Sequence, residues 1–361
     1  MILSKQLNTC EVGKVMNKLI INGLFYTQRT TGVQRFAKEL IRELDNVIEK
    51  NKISIIVPDY AENMPQYKNI EIIHYGKMKG MLWEQINLFY YLKKHNMISL
   101  SLCNSQPVFC PGIMCIHDAA YKTHPEYFKT IHGKLSVYWH RLNFWIAKIQ
   151  KHPIITVSYF SKYQLIDTYK IKPERLLVIG NGWQHMNRID EDDTILEKNN
   201  LKRGEFFFTL GNINYNKNTK WVLDFAEKNP EYIFVLSGIK VKNSSIDIPH
   251  TDNVKWLGYL SDGEIKSLYK HCRAFIFPSI HEGFGIPPME ALSQGAEIII
   301  ANTTCLPEIY GNSAHYIDPY DINVDVEKLL KKDVGSKKLV LNKYSWKKSA
   351  EILKELIYKY N

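Results

Sequence analysis

Short runs of β-branched and aromatic residues alternate with longer amphipathic stretches along most of the chain. Ten of these runs are predicted strands: 19–22, 53–57, 70–74, 112–116, 154–157, 206–210, 233–237, 254–257, 274–277 and 297–300. The stretches between them carry apolar residues at helical spacing, most clearly at 32–46. Strands that alternate with helices indicate βαβ units and parallel sheets. A chain of 361 residues is long enough for two such domains.

Residues 187–200 are polar and charged and have no apolar face, so we interpret them as a linker between two domains. The predicted organisation is an N-terminal extension (1–16), a first domain (17–186), the linker (187–200), a second domain (201–343) and a C-terminal helix (344–361) that crosses back to the first domain. The linker contains a D-x-D sequence, Asp190-Glu191-Asp192, a pattern that can hold a divalent metal. It does not follow an apolar strand, and acidic runs are usually solvated, so we expect no metal site.

The excess positive charge lies in the first half of the chain. Residues 1–185 hold 24 Lys and Arg against 13 Asp and Glu, a balance of +11, whereas residues 186–361 hold 23 against 24. This asymmetry predicts an anionic partner for the first half, either nucleic acid or a membrane surface. No run of 18 apolar residues is present, so a transmembrane helix is not expected. The six cysteines form no C-x-x-C pair, which argues against a structural zinc site.

The segment 277–295 is the most informative part of the second half. An apolar strand is followed by Gly283-Phe284-Gly285 and then by two prolines that suit the first turn of a helix. Free backbone N–H groups at a helix start form a natural site for anions or hydroxyl oxygens. Glu282 and Glu290 flank this turn, and a carboxylate can accept hydrogen bonds from both hydroxyls of a diol. The alternative is that both are surface carboxylates.

This segment resembles the E-x7-E signature of family 4 retaining glycosyltransferases, which have the GT-B fold of two Rossmann-like domains facing each other across a cleft. The resemblance extends to 254–264 before it and 302–311 after it. It implies that Glu290 binds the ribose of a nucleotide sugar and that Glu282 faces the donor sugar as part of the catalytic set. The other donor-binding residues that it implies are Phe284, Gly285, Ile286, Leu306 and Glu308.

The loop after the first strand of the second domain carries a candidate phosphate-binding cation. Lys217 matches a lysine of the family, and we place it in both the catalytic and the donor-binding sets. Many members also have an arginine where this chain has Asn212 or Asn216. We retain Asn212 among the expected donor-binding residues. We expect Lys217 to provide most of the positive charge that binds the diphosphate. Arg29 or Arg35 of the first domain is a candidate for the missing cation.

The first domain has its own strand–loop–helix junction at residues 22–40. Thr31 is a predicted N-cap, and Gly32 permits close approach of a diphosphate. The sequence is similar to the T-G-V-x-R loop of bacterial polysaccharide transferases, so Gly32 joins the donor-binding set. His117 and Asp118 end another predicted strand. A lone histidine is more often structural, but the family has a matching H-D pair, which implies that His117 contacts the donor sugar.

Residues 121–151 interleave aromatic with basic side chains. The aromatic set is Tyr121, Tyr127, Phe128, Tyr138, Trp139, Phe144 and Trp145, and the basic set includes Lys129, Lys134, Arg141 and Lys148. Such a segment can lie on an anionic membrane surface, pack its aromatics inside the protein, or stack on RNA. We favour the membrane surface, at the inner face of the plasma membrane, and expect no nucleic acid partner.

Together these features predict a retaining, metal-independent transferase without a cofactor. It would move a hexosyl or deoxyhexosyl unit from a nucleoside-diphosphate sugar to a lipid-linked glycan, during synthesis of a polysaccharide such as lipopolysaccharide or capsule. Two alternatives remain: a GT-B sugar-nucleotide 2-epimerase, and a non-catalytic protein that binds nucleotide sugars or RNA. A dehydrogenase is disfavoured because no G-x-G-x-x-G follows the first strand.

Overall fold

The computed structural model describes residues 18–211, 215–238 and 251–360. The predicted extension (1–16) and the donor-binding candidate Asn212 lie outside these residues. The first sheet contains seven strands: β1 (Leu19–Asn22), β2 (Ser54–Val57), β3 (Glu71–His74), β4 (Ile98–Ser101), β5 (Ile113–Cys115), β6 (Ile154–Thr156) and β7 (Leu176–Val178). Their spatial order is β3-β2-β1-β4-β5-β6-β7, and every neighbouring pair is parallel.

The second sheet contains six strands: β8 (Phe206–Leu210), β9 (Ile233–Ser237), β10 (Val254–Gly258), β11 (Ala274–Phe277), β12 (Ile298–Ala301) and β13 (His315–Ile317). Its order is β10-β9-β8-β11-β12-β13, again parallel throughout. In each sheet the first strand of the domain is flanked by the second and the fourth. This is the doubly wound order, in which ligands bind at the carboxyl edge where the strand order reverses. The prediction of two Rossmann-like domains is confirmed.

The helices cover both faces of the sheets. They are α1 (Gly32–Val47), α2 (Gly80–Leu82), α3 (Phe89–His95), α4 (Ala120–Thr123), α5 (Ile131–Ile149), α6 (Tyr159–Tyr169), α7 (Thr194–Lys198), α8 (Thr219–Lys228), α9 (Asp262–His271), α10 (Ile286–Ser293), α11 (Leu306–Tyr310), α12 (Val326–Leu330), α13 (Lys337–Lys343) and α14 (Trp346–Tyr360). A π-helical turn, Trp83–Leu88, joins α2 to α3. Within the described residues, no helix is both long and apolar enough to span a bilayer.

The last helix, α14, packs on the first domain. The indole of Trp346 lies 6.2 Å from the ring of Phe36 on α1, centroid to centroid, and both side chains are fully buried. Ser349 donates a hydrogen bond to the carbonyl oxygen of Gly180, just after β7. One apolar cluster therefore runs from the first domain through α14 to Phe284 and Ile286 of the second domain.

The segment between the domains packs on the second of them. Residues 194–198 form α7, and the preceding acidic residues contact α9. Glu191 binds Lys270 at 2.6 Å and His271 at 3.0 Å, and Asp193 accepts a hydrogen bond from Ser267. The acidic run is thus held by specific partners on α9.

Candidate active site

A cavity of about 160 Å³ lies between the two domains. The starts of two helices face each other across it: Thr31 and Gly32 at the start of α1, and Ile286 at the start of α10. A Cβ atom on Gly32 would meet only Ile286, at 4.0 Å, so this side of the cavity is open. Helix N-termini carry partial positive charge and unpaired N–H groups, and they therefore suit an anionic ligand.

Glu290 lines this cavity from α10, and its side chain is only 9% exposed. One carboxylate oxygen, Oε1, accepts a hydrogen bond from His185 Nε2 at 2.8 Å, and the other accepts one from the hydroxyl of Tyr269 at 3.2 Å. Burial raises the pKa of Glu290, but the His185 hydrogen bond and the charge of Arg35 outweigh it, so the pKa is below its usual value. The carboxylate is therefore ionised at neutral pH, and it keeps lone pairs that these partners do not use.

Arg35 places a cation of the first domain in the same cavity. Its guanidinium binds Asp262 of α9 at 2.7 Å and lies 3.7 Å from Glu290 Oε1. Burial lowers its pKa, but the charge of Glu290 and the Asp262 contact reverse the shift, so the group is held in its charged form. Of the two arginines suggested by the sequence, Arg35 lines the cavity, whereas Arg29 lies over the ring of Tyr259 at 5.0 Å.

Lys217 and Glu282 meet at the carboxyl edge of the second sheet, where β8 and β11 are neighbours. Lys217 Nζ lies 2.6 Å from Glu282 Oε1, and that oxygen also accepts a hydrogen bond from Ser279. Both charged side chains are mostly buried. This edge is the strand-order reversal at which doubly wound sheets bind ligands, so the two predicted residues share one site.

The glycine loop after β11 joins this site to the first domain. A Cβ atom on Gly283 would collide with the carbonyl oxygen of His117, and Ser158 donates a hydrogen bond to the Gly283 carbonyl at 2.7 Å. Gly285 has a φ of +82°, which favours glycine, and a Cβ there would approach Leu306. Gly283 is therefore required by the close contact between the domains, and Gly285 by the turn that leads into α10.

His117 is buried beside that loop. Its Nε2 donates to the carbonyl oxygen of Leu102 at 2.9 Å, because a carbonyl can only accept. Burial lowers its pKa, partly offset by the Leu102 contact and by the charge of Asp118. In the neutral ring Nδ1 is then an acceptor, which is the form needed for a hydrogen bond from a sugar hydroxyl. The predicted donor contact remains a prediction.

Three further predicted residues lie around the glycine loop and are not among those lining the cavity. Phe284 is buried with its ring 5.2 Å from that of Tyr344, and Leu306 is fully buried against Gly285. Glu308 directs both carboxylate oxygens to backbone N–H groups at the start of α6, on Tyr159 at 2.9 Å and on Phe160 at 2.6 Å. Glu308 thus connects the second domain to a helix N-terminus of the first.

Residues 191–347 match the family model described as glycosyl transferases group 1. The matched segment comprises the second domain and the residues that directly precede it. All of the predicted site residues except Gly32 and His117 fall within it.

The similarity to known proteins extends beyond residues 191–347. The chain is 23% identical over 325 residues to O-antigen chain mannosyltransferase B of Escherichia coli, covering 81% of this chain and 84% of that protein. It is 28% identical over 222 residues to O-antigen chain mannosyltransferase RfbU of Salmonella typhimurium, covering 60% and 59%. The structure of Anabaena Alr3699/HepE in complex with UDP and glucose has a TM-score of 0.69 at 14% identity, over 94% of this chain and 99% of that one. The GT-B fold is confirmed, and the sequence matches support a glycosyltransferase.

One group of side chains in the described part of the chain has the composition of a metal site: Glu191, Asp193 and His271. His271 ends α9, whereas Asp262 at the start of that helix lines the cavity. Nine residues of helix separate them by roughly 13 Å. Lys270 and Arg203 bind the same carboxylates, so side chains of the second domain already neutralise this acidic cluster.

Residues 121–151 neither pack all of their aromatic side chains inside the protein nor expose all of them. Phe144 is fully buried, and Tyr121 stacks on His140 with centroids 4.0 Å apart, so part of the aromatic set packs inside. Tyr138 is 70% exposed and Trp145 53% exposed. They belong to an apolar stripe that we define as Ile131, Leu135, Tyr138, Leu142, Trp145 and Ile149, all exposed. The alternating spacing of four and three places these residues on one face of the helix.

Two residues of the site were missed in the sequence. His185 follows the Asn181-Gly182 turn, and Trp346 begins α14; neither lies near the E-x7-E segment in sequence. A buried-strand pattern does not identify them, because their role depends on hydrogen bonds to residues that are distant in sequence. The only usable signal was the predicted return of the C-terminal helix to the first domain.

Proposed function

We propose that this chain is a retaining, metal-independent glycosyltransferase that uses a nucleoside-diphosphate sugar. The acceptor is a hydroxyl of a lipid-linked glycan, and the product is a cell-surface polysaccharide such as O-antigen. The observation that carries the proposal is the cavity between two helix N-termini, with the carboxylate of Glu290 inside it. The two mannosyltransferase relatives favour a hexosyl donor, with mannose as the first to test.

The charges of the site suit such a donor. Glu290 accepts hydrogen bonds from the ribose hydroxyls, and the starts of α1 and α10 bind the diphosphate together with Arg35. Arg35 replaces the cation that many family members have where this chain carries Asn212 or Asn216. The diphosphate competes with Glu282 for Lys217, and Glu282, released from the 2.6 Å ion pair, accepts hydrogen bonds from the donor sugar.

In this mechanism the C–O bond between sugar and diphosphate breaks first. Negative charge develops on the diphosphate, and Lys217 and Arg35 stabilise it. The acceptor hydroxyl attacks from the same face, and the departing phosphate takes its proton, so the anomeric configuration is retained. His117 accepts a hydrogen bond from the sugar through Nδ1 and orients it.

A donor screen tests the proposal. The enzyme is incubated with GDP-mannose, UDP-glucose, UDP-galactose or dTDP-rhamnose and a lipid-linked glycan, and the product is analysed by mass spectrometry and NMR. We expect a glycan one sugar longer, with the anomeric configuration of the donor. An inverted linkage contradicts retention, and conversion of the free nucleotide sugar without acceptor indicates the epimerase instead.

Activity should persist in EDTA, because Lys217, Arg35 and two helix N-termini neutralise the diphosphate without a divalent ion. Turnover is measured with and without EDTA, and then with added magnesium or manganese. We expect the rates with and without EDTA to agree within about twofold. Removal of a charge that stabilises the transition state would instead lower the rate by about 100-fold. Complete loss in EDTA that manganese restores would exclude the metal-free mechanism.

We further propose that the first domain attaches peripherally to the inner face of the plasma membrane through the apolar stripe of α5. Lys134 and Lys151 are exposed on and just after this helix, and Lys148 is partly exposed. An amphipathic helix with exposed aromatics and nearby lysines can insert its apolar face among lipid headgroups. The +11 balance of residues 1–185 favours an anionic leaflet.

Charge reversal at Lys134, Lys148 and Lys151 should release the protein from anionic vesicles, because each lysine near the surface contributes about 1 kcal/mol. Arg141 is left unchanged, since its Nε donates to the Tyr121 carbonyl at 2.7 Å and supports the fold. Binding is measured by co-sedimentation with phosphatidylglycerol or phosphatidylcholine vesicles at low and high salt.

Two comparisons complete that experiment. Replacement of Leu135 and Trp145 by serine should weaken binding at both salt concentrations, because this change removes apolar area. Reversal of Lys331 and Lys332, exposed on the second domain, should leave binding unchanged. Equal binding of wild type and the α5 variants to anionic vesicles would contradict the proposed surface.

A further inference from the structure

Four buried side chains form a chain of hydrogen bonds that ends at the cavity. The indole N–H of Trp346 donates to His185 Nδ1 at 3.0 Å, and His185 Nε2 lies 2.8 Å from Glu290 Oε1. Tyr269 donates to the other oxygen of Glu290 at 3.2 Å. Trp346 and Tyr269 are fully buried, and His185 is 1% exposed. Glu290, which accepts hydrogen bonds from both His185 and Tyr269, is the member of this series that lines the cavity.

The direction of these hydrogen bonds is fixed by chemistry. An indole N–H can only donate, so Nδ1 of His185 must accept and therefore carries no proton. The proton of the neutral imidazole then lies on Nε2, which donates to Glu290. The opposite tautomer would place two donors face to face at Trp346 and two acceptors face to face at Glu290. Trp346 thus determines which nitrogen of His185 faces the carboxylate.

The position of Trp346 is itself fixed by residues at the end of the first domain, just before the linker. Its backbone N–H donates to Gln184 Oε1 at 3.0 Å, and a Cβ atom on Gly182 would collide with its backbone nitrogen. Its ring packs 6.2 Å from that of Phe36 on α1. The indole therefore has little freedom to rotate away from His185.

We infer that His185 and Trp346 are positioning residues for donor binding: Trp346 selects the His185 tautomer, and His185 holds the Glu290 carboxylate with its remaining lone pairs directed into the cavity, where a ribose diol binds. This inference rests on the proposed function, because it assumes that the ligand of Glu290 is a ribose. The same hydrogen bonds connect α14, which packs on the first domain, to the donor site of the second domain. The lowered pKa of Glu290 agrees with a carboxylate that always receives a hydrogen bond from this side.

A purely structural role would involve the same three hydrogen bonds, so the test must measure ribose recognition. Calorimetry with GDP and UDP, and with the 2′-deoxy form of each, gives the affinity and the preference for the 2′-hydroxyl. His185→Leu removes both hydrogen bonds, whereas His185→Gln keeps an amide donor near the Nε2 position and an oxygen acceptor for the indole. Trp346→Phe keeps an aromatic ring at this position and removes the indole N–H together with the five-membered ring that carries it. Thermal unfolding of each variant reports whether the fold survives.

We expect His185→Leu to bind the preferred nucleotide about tenfold more weakly and to lose most of its preference for the ribose form. His185→Gln should recover both properties to within about threefold. Trp346→Phe should keep its affinity for the 2′-deoxy form while its preference for the 2′-hydroxyl falls. ¹⁵N NMR of the wild-type imidazole should show the proton on Nε2, and a proton on Nδ1 would overturn the inference directly.

The variant Glu290→Gln distinguishes a failure of the positioning inference from a failure of the proposed donor site. If Glu290→Gln weakens ribose binding but folded His185→Leu does not, the positioning role is wrong and the proposed donor site stands. If neither variant alters discrimination between ribose and 2′-deoxyribose, the ribose role of Glu290 fails, and the positioning inference fails with it. Loss of discrimination in both, with recovery in His185→Gln, supports both.

Discussion

Lys217→Ala should lower the turnover of the enzyme by about 100-fold while changing the Michaelis constant for the donor by much less. The reason is that negative charge on the diphosphate grows as the bond to the sugar breaks, so a nearby cation stabilises the transition state more than the bound donor. Lys217 is suited to this task because it lies at the strand-order reversal and is already partly desolvated. The measurement is steady-state kinetics at saturating acceptor.

Three variants control for this result. Lys220→Ala removes an exposed lysine three residues later, which pairs with Asp224 at 2.6 Å, and should leave the rates unchanged. Lys217→Arg keeps the charge and should recover part of the activity. Lys217→Ala also leaves Glu282 without its cationic partner, and the unpaired carboxylate would repel the diphosphate. The double variant with Lys217→Ala and Glu282→Gln removes this repulsion and therefore measures the loss of the cation alone. Turnover close to wild type in Lys217→Ala would show that Arg35 or the helix N-termini stabilise the diphosphate without it.

The fold was predictable where the strands are apolar throughout. Ten predicted strands correspond to observed ones within one or two residues. Most of them are buried parallel strands, which read as continuous apolar runs. Three observed strands were missed: β4 (Ile98–Ser101), β7 (Leu176–Val178) and β13 (His315–Ile317). β4 alternates serine with apolar residues, and the other two are only three residues long. Their strand conformation depends on neighbours in the sheet rather than on local pattern.

The site was predictable where one segment carries several of its residues. The E-x7-E segment located Glu282 and Glu290 at the glycine loop, and the resemblance placed Lys217 beside them. The partners of these residues lie far away in sequence: Arg35 is 255 residues before Glu290, and Trp346 follows it by 56. Periodicity and spacing carry no information about such pairs. Only the folded structure shows that Arg35 on α1 and Tyr269 on α9 contact Glu290 directly. Trp346 on α14 is connected to it through His185.

Glu290→Gln should weaken binding of the nucleoside diphosphate by about 10- to 150-fold, the loss expected for charge-assisted contacts worth about 1.5–3 kcal/mol. Glutamine has nearly the same size and still accepts a hydrogen bond from His185, so the buried site remains filled and the fold is expected to survive. The amide offers one oxygen and no negative charge, and it therefore cannot accept from both ribose hydroxyls as the carboxylate does. Alanine is the less informative change, because it leaves His185, Tyr269 and Arg35 without their shared acceptor.

The pKa of Glu290 lies below its usual value because the His185 hydrogen bond and the charge of Arg35 outweigh burial, so the wild-type group is an anion throughout the neutral range. Calorimetry at neutral pH therefore compares a fully charged carboxylate with a neutral amide of the same shape. Glu227→Gln, at an exposed position on α8, provides a matched control in the same domain and should bind like wild type. A nucleotide affinity unchanged in Glu290→Gln would contradict the ribose role. A loss seen with ribose but much smaller with the 2′-deoxy nucleotide would assign the effect to the diol, since the diphosphate and base are the same in both ligands.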